Sequence, residues 1–323
     1  MNVNAGSSAG GNAVSTAGGE GGALQGHAAI RQVLVLGTGT MGQGIAQVTA
    51  IAGYLTHLYD ADMARAHGAV DAIKRATDRL VEKGKMLNEA RSEMIGMLLP
   101  APDLDRAAAE VDLVIEAIPE QMDLKVEVLS RVKATAPERA IFGSNTSSLS
   151  ITELGRRIGA GARTVGLHFF NPPPVMELLE VVRGLETDEA VVTTALAVAK
   201  RLGKTPIVVN DSPGFATSRL GVAIGAEAMR MLEAGVASAV DIDKAMELGY
   251  RHPMGPLKLT DLVGLDVRLA ILEHLHREVG EQFRPPTILR QMVRAGKLGK
   301  KTGEGFYRWT GAGPEPVEVR RGR

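Results

Sequence analysis

The sequence predicts an α/β protein: a parallel β-sheet interleaved with helices over about the first two thirds of its 323 residues, then an all-α unit. Three observations predict this. Short apolar runs at 33–36, 111–115 and 163–170 alternate with longer segments of helical character, as strands buried on both faces do. The first run ends in a glycine cluster that opens a helix. After Asn210-Asp211-Ser212-Pro213-Gly214 the strand signal stops, and everything that follows reads as helix.

Residues 1–29 are rich in Gly, Ala and Ser with almost no large apolar side chains, so they are expected to stay disordered. They lack the basic start and apolar stretch of a signal peptide. Residues 33–36 are the first strand. Gly37-Thr38-Gly39-Thr40-Met41-Gly42 matches G-x-G-x-x-G and leads into a helix over 43–52. A second strand over 55–59 ends at Asp60, close to the ~20-residue spacing of a dinucleotide-binding fingerprint. Each part has a mechanical reason. Gly37 allows the tight turn, Gly39 the close approach of a pyrophosphate, and Gly42 the packing of helix on strand. The helix start, with Thr40 and Met41, offers free N–H groups to phosphate. Asp60 can accept from a ribose 2′-hydroxyl and would repel a 2′-phosphate, which favours NAD over NADP.

Residues 63–99 carry Ile73, Leu80, Leu87 and Met94 at seven-residue intervals among many charges. They read as a helical hairpin broken near Gly84-Lys85 and projecting from the sheet. Lys74, Arg75, Arg79, Lys83 and Lys85 form a basic stripe, either a solvated face or a dock for an anionic substrate tail. A strand over 111–115 leads to Glu120, a helix follows over 124–133, and a strand over 140–143 leads to the cluster Asn145–Ser148. Beyond the carboxyl ends of parallel strands, both groups should flank a bound cofactor. The strand over 163–170 carries His168, Asn171-Pro172-Pro173-Pro174 forces a rigid turn, and a strand over 177–182 carries Glu180. The reversal could bring imidazole and carboxylate together as a general base of fixed orientation; otherwise His168 is a core residue. A last strand over 204–209 precedes helices over 217–234, 239–248, 257–279 and 286–295. Their surplus of apolar residues implies a dimer interface.

Composition agrees with a small-molecule enzyme. Lys+Arg and Asp+Glu both number 37, and aromatics are 3%, so neither a nucleic acid nor an acidic membrane is an expected partner. There is no cysteine, hence no thiolate metal site or disulfide, and a reducing compartment is permitted. No apolar run approaches the ~18 residues of a membrane span.

Seven stretches together resemble the L-3-hydroxyacyl-CoA dehydrogenase family, including the bacterial 3-hydroxybutyryl-CoA dehydrogenases: LGTGTMGQGIAQV, IEAIPE, GSNTSSLSI, GLHFFNPPPVMELLEVV, DSPGFATSRL, HPMGPLKLTDLVGLD and KKTGEGFY. They span about 31–308. The resemblance implies an NAD-binding Rossmann domain (30–212) with a helical hairpin insertion, a helical substrate and dimerisation domain (213–310), and a polar tail (311–323). It implies a cytoplasmic homodimer that transfers hydride between C3 of an (S)-3-hydroxyacyl-CoA and nicotinamide. Carried over by motif, His168 is the general acid/base, Glu180 orients it, Ser147 binds the substrate oxygen and Asn145 lies beside the nicotinamide. Glu120 and Lys125 match cofactor-contacting positions, and Lys83 falls where a lysine meets the CoA phosphates. Ser218 stands where the family's PGF-x-x-N-R motif has an asparagine that contacts substrate; a plain helix-capping role is the alternative. A relative acting on a free hydroxy acid, or a non-catalytic NAD-binding paralogue, would share the fold, but an intact His168–Glu180 pair speaks against the latter.

Overall fold

The computed structural model describes residues 30–317; the tail expected over 1–29 lies outside them. In chain order the first unit contains β1 (Gln32–Leu36), α1 (Thr40–Ile51), β2 (Leu55–Tyr59), α2 (Met63–Glu82), α3 (Asn88–Gly96), β3 (Leu98–Pro100), α4 (Leu104–Ala108) and β4 (Leu113–Glu116). It continues with α5 (Met122–Thr135), β5 (Ile141–Ser144), α6 (Ile151–Arg157), β6 (Thr164–Phe169), β7 (Leu178–Arg183), α7 (Glu189–Arg201) and β8 (Thr205–Asn210). The eight strands form one sheet in the order β3-β2-β1-β4-β5-β6-β7-β8. All neighbours run parallel except β6 and β7.

The unbroken apolar strand runs follow from helices on both faces. Val33 and Val35 of β1 enter one core cluster, and Leu34 and Leu36 enter another on the opposite face. Successive side chains of a strand point to opposite faces, so a strand covered twice needs apolar residues at every position. The hairpin α2–α3 is present and is tied by Arg91 and Asp78 at 2.7 Å. Its seven-residue pattern is only partly a core pattern: Ile73 and Met94 are buried, but Leu87 caps α3 and is 73% exposed. Strand β3 occupies the end of the segment that reads as helix, because Thr56 and Leu58 of β2 offer it a free edge. Helices α4 and α7 are additions to the predicted elements, although each starts at an aspartate in the cap position, Asp103 and Asp188, with an acid in its first turn.

The second unit is α8 (Thr217–Glu233), α9 (Ala239–Lys244), α10 (Pro256–Val263), α11 (Leu265–Glu278) and α12 (Thr287–Arg294). The single helix expected over 257–279 breaks between α10 and α11 at Gly264, whose φ is 107°. The polar tail expected over 311–323 is corrected in its described part. There β10 (Gly313–Pro316) pairs antiparallel with β9 (Tyr307–Thr310), adding a small ribbon to the helical unit.

Two buried aspartates fasten that ribbon. Asp261 accepts from Phe306 N (2.8 Å), Tyr307 N (2.8 Å) and Trp309 Nε1 (3.0 Å). Asp243 accepts from Leu257 N (2.8 Å), Lys258 N (3.0 Å) and the Tyr307 hydroxyl (2.7 Å). The KKTGEGFY stretch thus has a structural explanation: it presents backbone donors and a tyrosine to these acids. Asp261→Ala would strand three donors in the interior. We expect it to lower the unfolding free energy by about 3 kcal/mol or more, read by urea denaturation, and Asp261→Asn to cost less.

Candidate active site

The glycine loop joins β1 to α1. Gly37 has a φ of 88°, in the left-handed region that favours glycine, and its N–H donates to Tyr59 O at 2.8 Å. A Cβ on Gly42 would overlap the Gly37 carbonyl, whereas a Cβ on Gly39 would meet nothing within 4 Å. The loop is therefore closed underneath and open above. Helix α1 begins at Thr40, and its cap residue Gly39 has no side chain to occupy the free N–H groups. Asp60 follows β2, and its Oδ2 accepts from Thr38 N (3.0 Å) and Thr38 Oγ1 (2.8 Å). Burial pushes the Asp60 carboxyl up, but the Thr38 hydrogen bonds outweigh it and hold it below the usual carboxylate range. An ionised acceptor beside an open, uncapped helix start fits the ribose and pyrophosphate of a dinucleotide.

The carboxyl ends of β4 and β5 carry a polar network. Lys125 is 1% exposed, and its Nζ lies 2.6 Å from Glu116 Oε1 and 3.2 Å from Glu120 Oε2. Glu116, itself fully buried, also accepts from Ser144 Oγ (2.7 Å) and Ile118 N (2.8 Å). Glu120 Oε1 gathers Thr146 Oγ1 (2.5 Å), Ser147 N (3.0 Å) and Ser148 Oγ (3.2 Å). Burial raises the Glu120 carboxyl, yet Lys125 and these donors bring it below its ordinary value. The net result is a rigid loop over 145–148. Asn145 Oδ1 accepts from Phe169 N at 2.9 Å, which joins that loop to β6.

His168 and Glu180 are register partners in the antiparallel pair β6/β7. Residues directly opposite one another hold their side chains about 4.5–5.5 Å apart at Cβ. Here the chain reversal centred on Pro174 sets two residues 12 apart in sequence face to face across the ladder. His168 Nδ1 lies 2.6 Å from Glu180 Oε2. A carboxylate can only accept, so Nδ1 carries the proton and Nε2 is left to the cleft. The imidazole is packed against Phe170, with ring centroids 4.6 Å apart, and against Phe215 at 5.8 Å. Phe215 is buried in a turn where Gly214 and Phe215 have φ of 74° and 49°. That turn aims the next two backbone N–H groups at the acid: Glu180 Oε1 accepts from Thr217 N (2.9 Å) and Ala216 N (3.3 Å). Glu180 is fully buried. Burial pushes its carboxyl up, but His168 and Thr217 hold it below the ordinary range.

A cleft of about 450 Å³ opens between these groups, lined by Met41, Glu120, Asn145, Ser147, His168 and, from α11, Val267, among others. The structure therefore brings together the glycine loop, the 145–148 loop and the His168–Glu180 pair. Lys125 is there too, but its ammonium is spent on Glu116 and Glu120. Ser218 is not among the cleft-lining residues, and the cap of α8 is Ala216, so Ser218 does not cap that helix either. Lys83 is the exposed cap residue ending α2.

Residues 32–212 match the family model for the NAD-binding domain of 3-hydroxyacyl-CoA dehydrogenases, and residues 214–309 match the model for their C-terminal domain. The chain belongs to the 3-hydroxyacyl-CoA dehydrogenase family. The probable 3-hydroxybutyryl-CoA dehydrogenase of Bacillus subtilis is 42% identical over 279 residues, 86% of this chain and 97% of that protein. The mitochondrial hydroxyacyl-coenzyme A dehydrogenase of Rattus norvegicus is 41% identical over 287 residues, 87% of this chain and 91% of that one. The crystal structure of (S)-3-hydroxybutyryl-CoA dehydrogenase from Ralstonia eutropha superposes with a TM-score of 0.85 at 40% identity, covering 87% of this chain and 100% of that chain.

This dehydrogenase is an oxidoreductase that uses NAD. Several of its site residues escape sequence reasoning. Glu116 and Ser144 sit at strand ends inside apolar runs, where a buried acid is the one visible signal. Phe170 and Phe215 lie within recognisable motifs, yet nothing in their spacing says that they pack on one imidazole. Thr217 carries no signal that sets it apart from its neighbour Ser218.

Two outcomes are expected. Asp60→Ala should lower the ratio of kcat/KM for NADH over NADPH by at least about tenfold, since one acceptor and one repeller are removed. Glu180 has a folded-state pKa below its ordinary 4.5. Its stabilisation is present above that value and lost as pH falls through the lower folded one. Thermal melts between about pH 5 and pH 3 should therefore fall more steeply for the wild type than for Glu180→Gln.

Proposed function

We propose that this dehydrogenase interconverts short-chain (S)-3-hydroxyacyl-CoA, with 3-hydroxybutyryl-CoA as the natural test case, and the matching 3-oxoacyl-CoA. The observation that carries the reading is the 2.6 Å His168–Glu180 pair opening onto a cleft shared with the dinucleotide loop. The names of the Bacillus and Ralstonia relatives support the acyl chain.

NAD, when bound, supplies the hydride acceptor for oxidation and, as NADH, the donor for reduction. Gly37, Gly39, Thr40, Met41, Gly42 and Asp60 would hold it, with Glu120 as a further contact and Asn145 beside the nicotinamide. His168 Nε2 takes the proton of the C3 hydroxyl during oxidation and returns it during reduction. Glu180 keeps the imidazole in the required tautomer and stabilises the imidazolium. The Ser147 hydroxyl makes no hydrogen bond of its own among the described residues, so it is free to bind the substrate oxygen. Phe170 and Phe215 shield the ring from water. Lys83 and the basic stripe of α2 attract the CoA phosphates, and Ser218 is kept as a substrate neighbour on the family motif alone.

Exposed Leu220, Ile224, Leu262 and Val263 on α8 and α10 support a homodimer. Among the described residues no helix is long and apolar enough to cross a membrane. A cytoplasmic location is part of the same proposal.

The experiment is NADH oxidation with acetoacetyl-CoA set against free acetoacetate. We expect turnover of the thioester and little of the free acid. His168→Gln should cut kcat by about 10²–10⁴-fold with NADH affinity little changed. Near-normal turnover by His168→Gln would make His168 a core residue and defeat the reading.

A further inference from the structure

Glu180 is a fully buried carboxylate, and two oxygens offer about four acceptor sites that must be filled if the charge is to persist there. Four donors meet it. Oε1 takes the backbone N–H groups of Ala216 and Thr217. Oε2 takes His168 Nδ1–H at 2.6 Å and the Thr217 hydroxyl at 3.0 Å. Thr217 thus supplies two of the four, and its hydroxyl shares an oxygen with the imidazole. The backbone donor would survive almost any substitution; the hydroxyl is available only from Thr or Ser. A Thr in the first turn of a helix ordinarily caps it or bonds back to a carbonyl. In α8 the cap is Ala216 with no side-chain bond, and the Thr217 hydroxyl goes across to β7 instead.

We infer that Thr217 is a positioning residue for the reaction: its hydroxyl fixes the Glu180 oxygen to which His168 donates, and so aims Nε2 at the substrate oxygen. The inference rests on the proposed function above. It also couples the two units of the chain, because the residue that sets the acid on the sheet belongs to the first helix of the helical unit. Without the hydroxyl, Oε2 is held by the imidazole alone. Oε1 stays tied to the two backbone N–H groups, but Oε2 is placed less firmly, and with one donor fewer the carboxylate becomes more basic and holds the imidazolium proton more tightly.

The test compares wild type, Thr217→Val and Thr217→Ser with NADH and acetoacetyl-CoA across pH, with melting temperatures on the same preparations. Thr217→Val keeps shape and backbone N–H but loses the hydroxyl. It should lower kcat about tenfold, leave both KM values within about twofold, and displace the kcat/KM profile toward higher pH. Thr217→Ser should stay within about threefold of wild type with an undisplaced profile. The inference is overturned if Thr217→Val keeps wild-type kcat and profile, or if Thr217→Ser is as impaired as Thr217→Val. Should Thr217→Val melt below the assay temperature, Thr217→Ala against Thr217→Ser makes the same comparison: a selective loss in Thr217→Ala supports the inference, and equal activities overturn it. Wild-type protein inactive on acetoacetyl-CoA would defeat the proposed substrate itself, and this inference with it; an active wild type with indifferent Thr217 variants defeats this inference alone.

Discussion

The structure turns on one buried charge. An ionised carboxylate removed from water costs several kcal/mol unless its oxygens are fully hydrogen-bonded, and Glu180 has no exposed surface. The surrounding fold is arranged to satisfy it. Strands β6 and β7 are the single antiparallel neighbours in an otherwise parallel sheet, which sets His168 opposite it. The turn through Gly214 and Phe215, two residues with positive φ, directs consecutive N–H groups at its other oxygen. The same turn lays the Phe215 ring beside the imidazole it serves. Backbone strain, chain reversal and aromatic packing converge on a single side chain. That convergence holds the imidazole in one orientation, as the proposed role of His168 as general acid/base requires.

A second buried network, Glu116–Lys125–Glu120, does the same for the 145–148 loop. The Lys125 ammonium lies between two carboxylates, so one positive charge keeps Glu120 ionised while Glu120 ties down three donors of the loop. Lys125 thus acts through the loop's geometry. Asn145 then links the loop to β6 one residue beyond His168. The 145–148 loop and the strand that carries His168 are thus joined through hydrogen bonds of the scaffold.

Much of this is legible in the sequence where chemistry is local. The Gly37–Gly42 turn, the spacing to Asp60 and the apolar strand runs follow from backbone geometry and from burial on two faces. His168 and Glu180 can be paired because the proline turn between them forces a reversal. What escapes depends on long-range packing. Leu87 fits a heptad by count, yet it faces water at the start of α3. Ser218 matches a motif position, but Thr217, one residue earlier and about 100° round the helix, is the one that reaches Glu180. Strand β10 reads as polar tail because its residues carry no apolar alternation. It is held by pairing with β9, which two buried aspartates anchor at its base.

In the proposed mechanism Glu180 dictates which nitrogen of His168 meets the substrate. Nitrogen-15 NMR of histidine-labelled protein, with His168→Gln used to assign the signal, reads the tautomer directly. Neutral His168 is expected to carry its proton on Nδ1 and to leave Nε2 unprotonated, and Glu180→Gln is expected to disturb this preference. A neutral His168 protonated on Nε2, unaffected by Glu180→Gln, would contradict it.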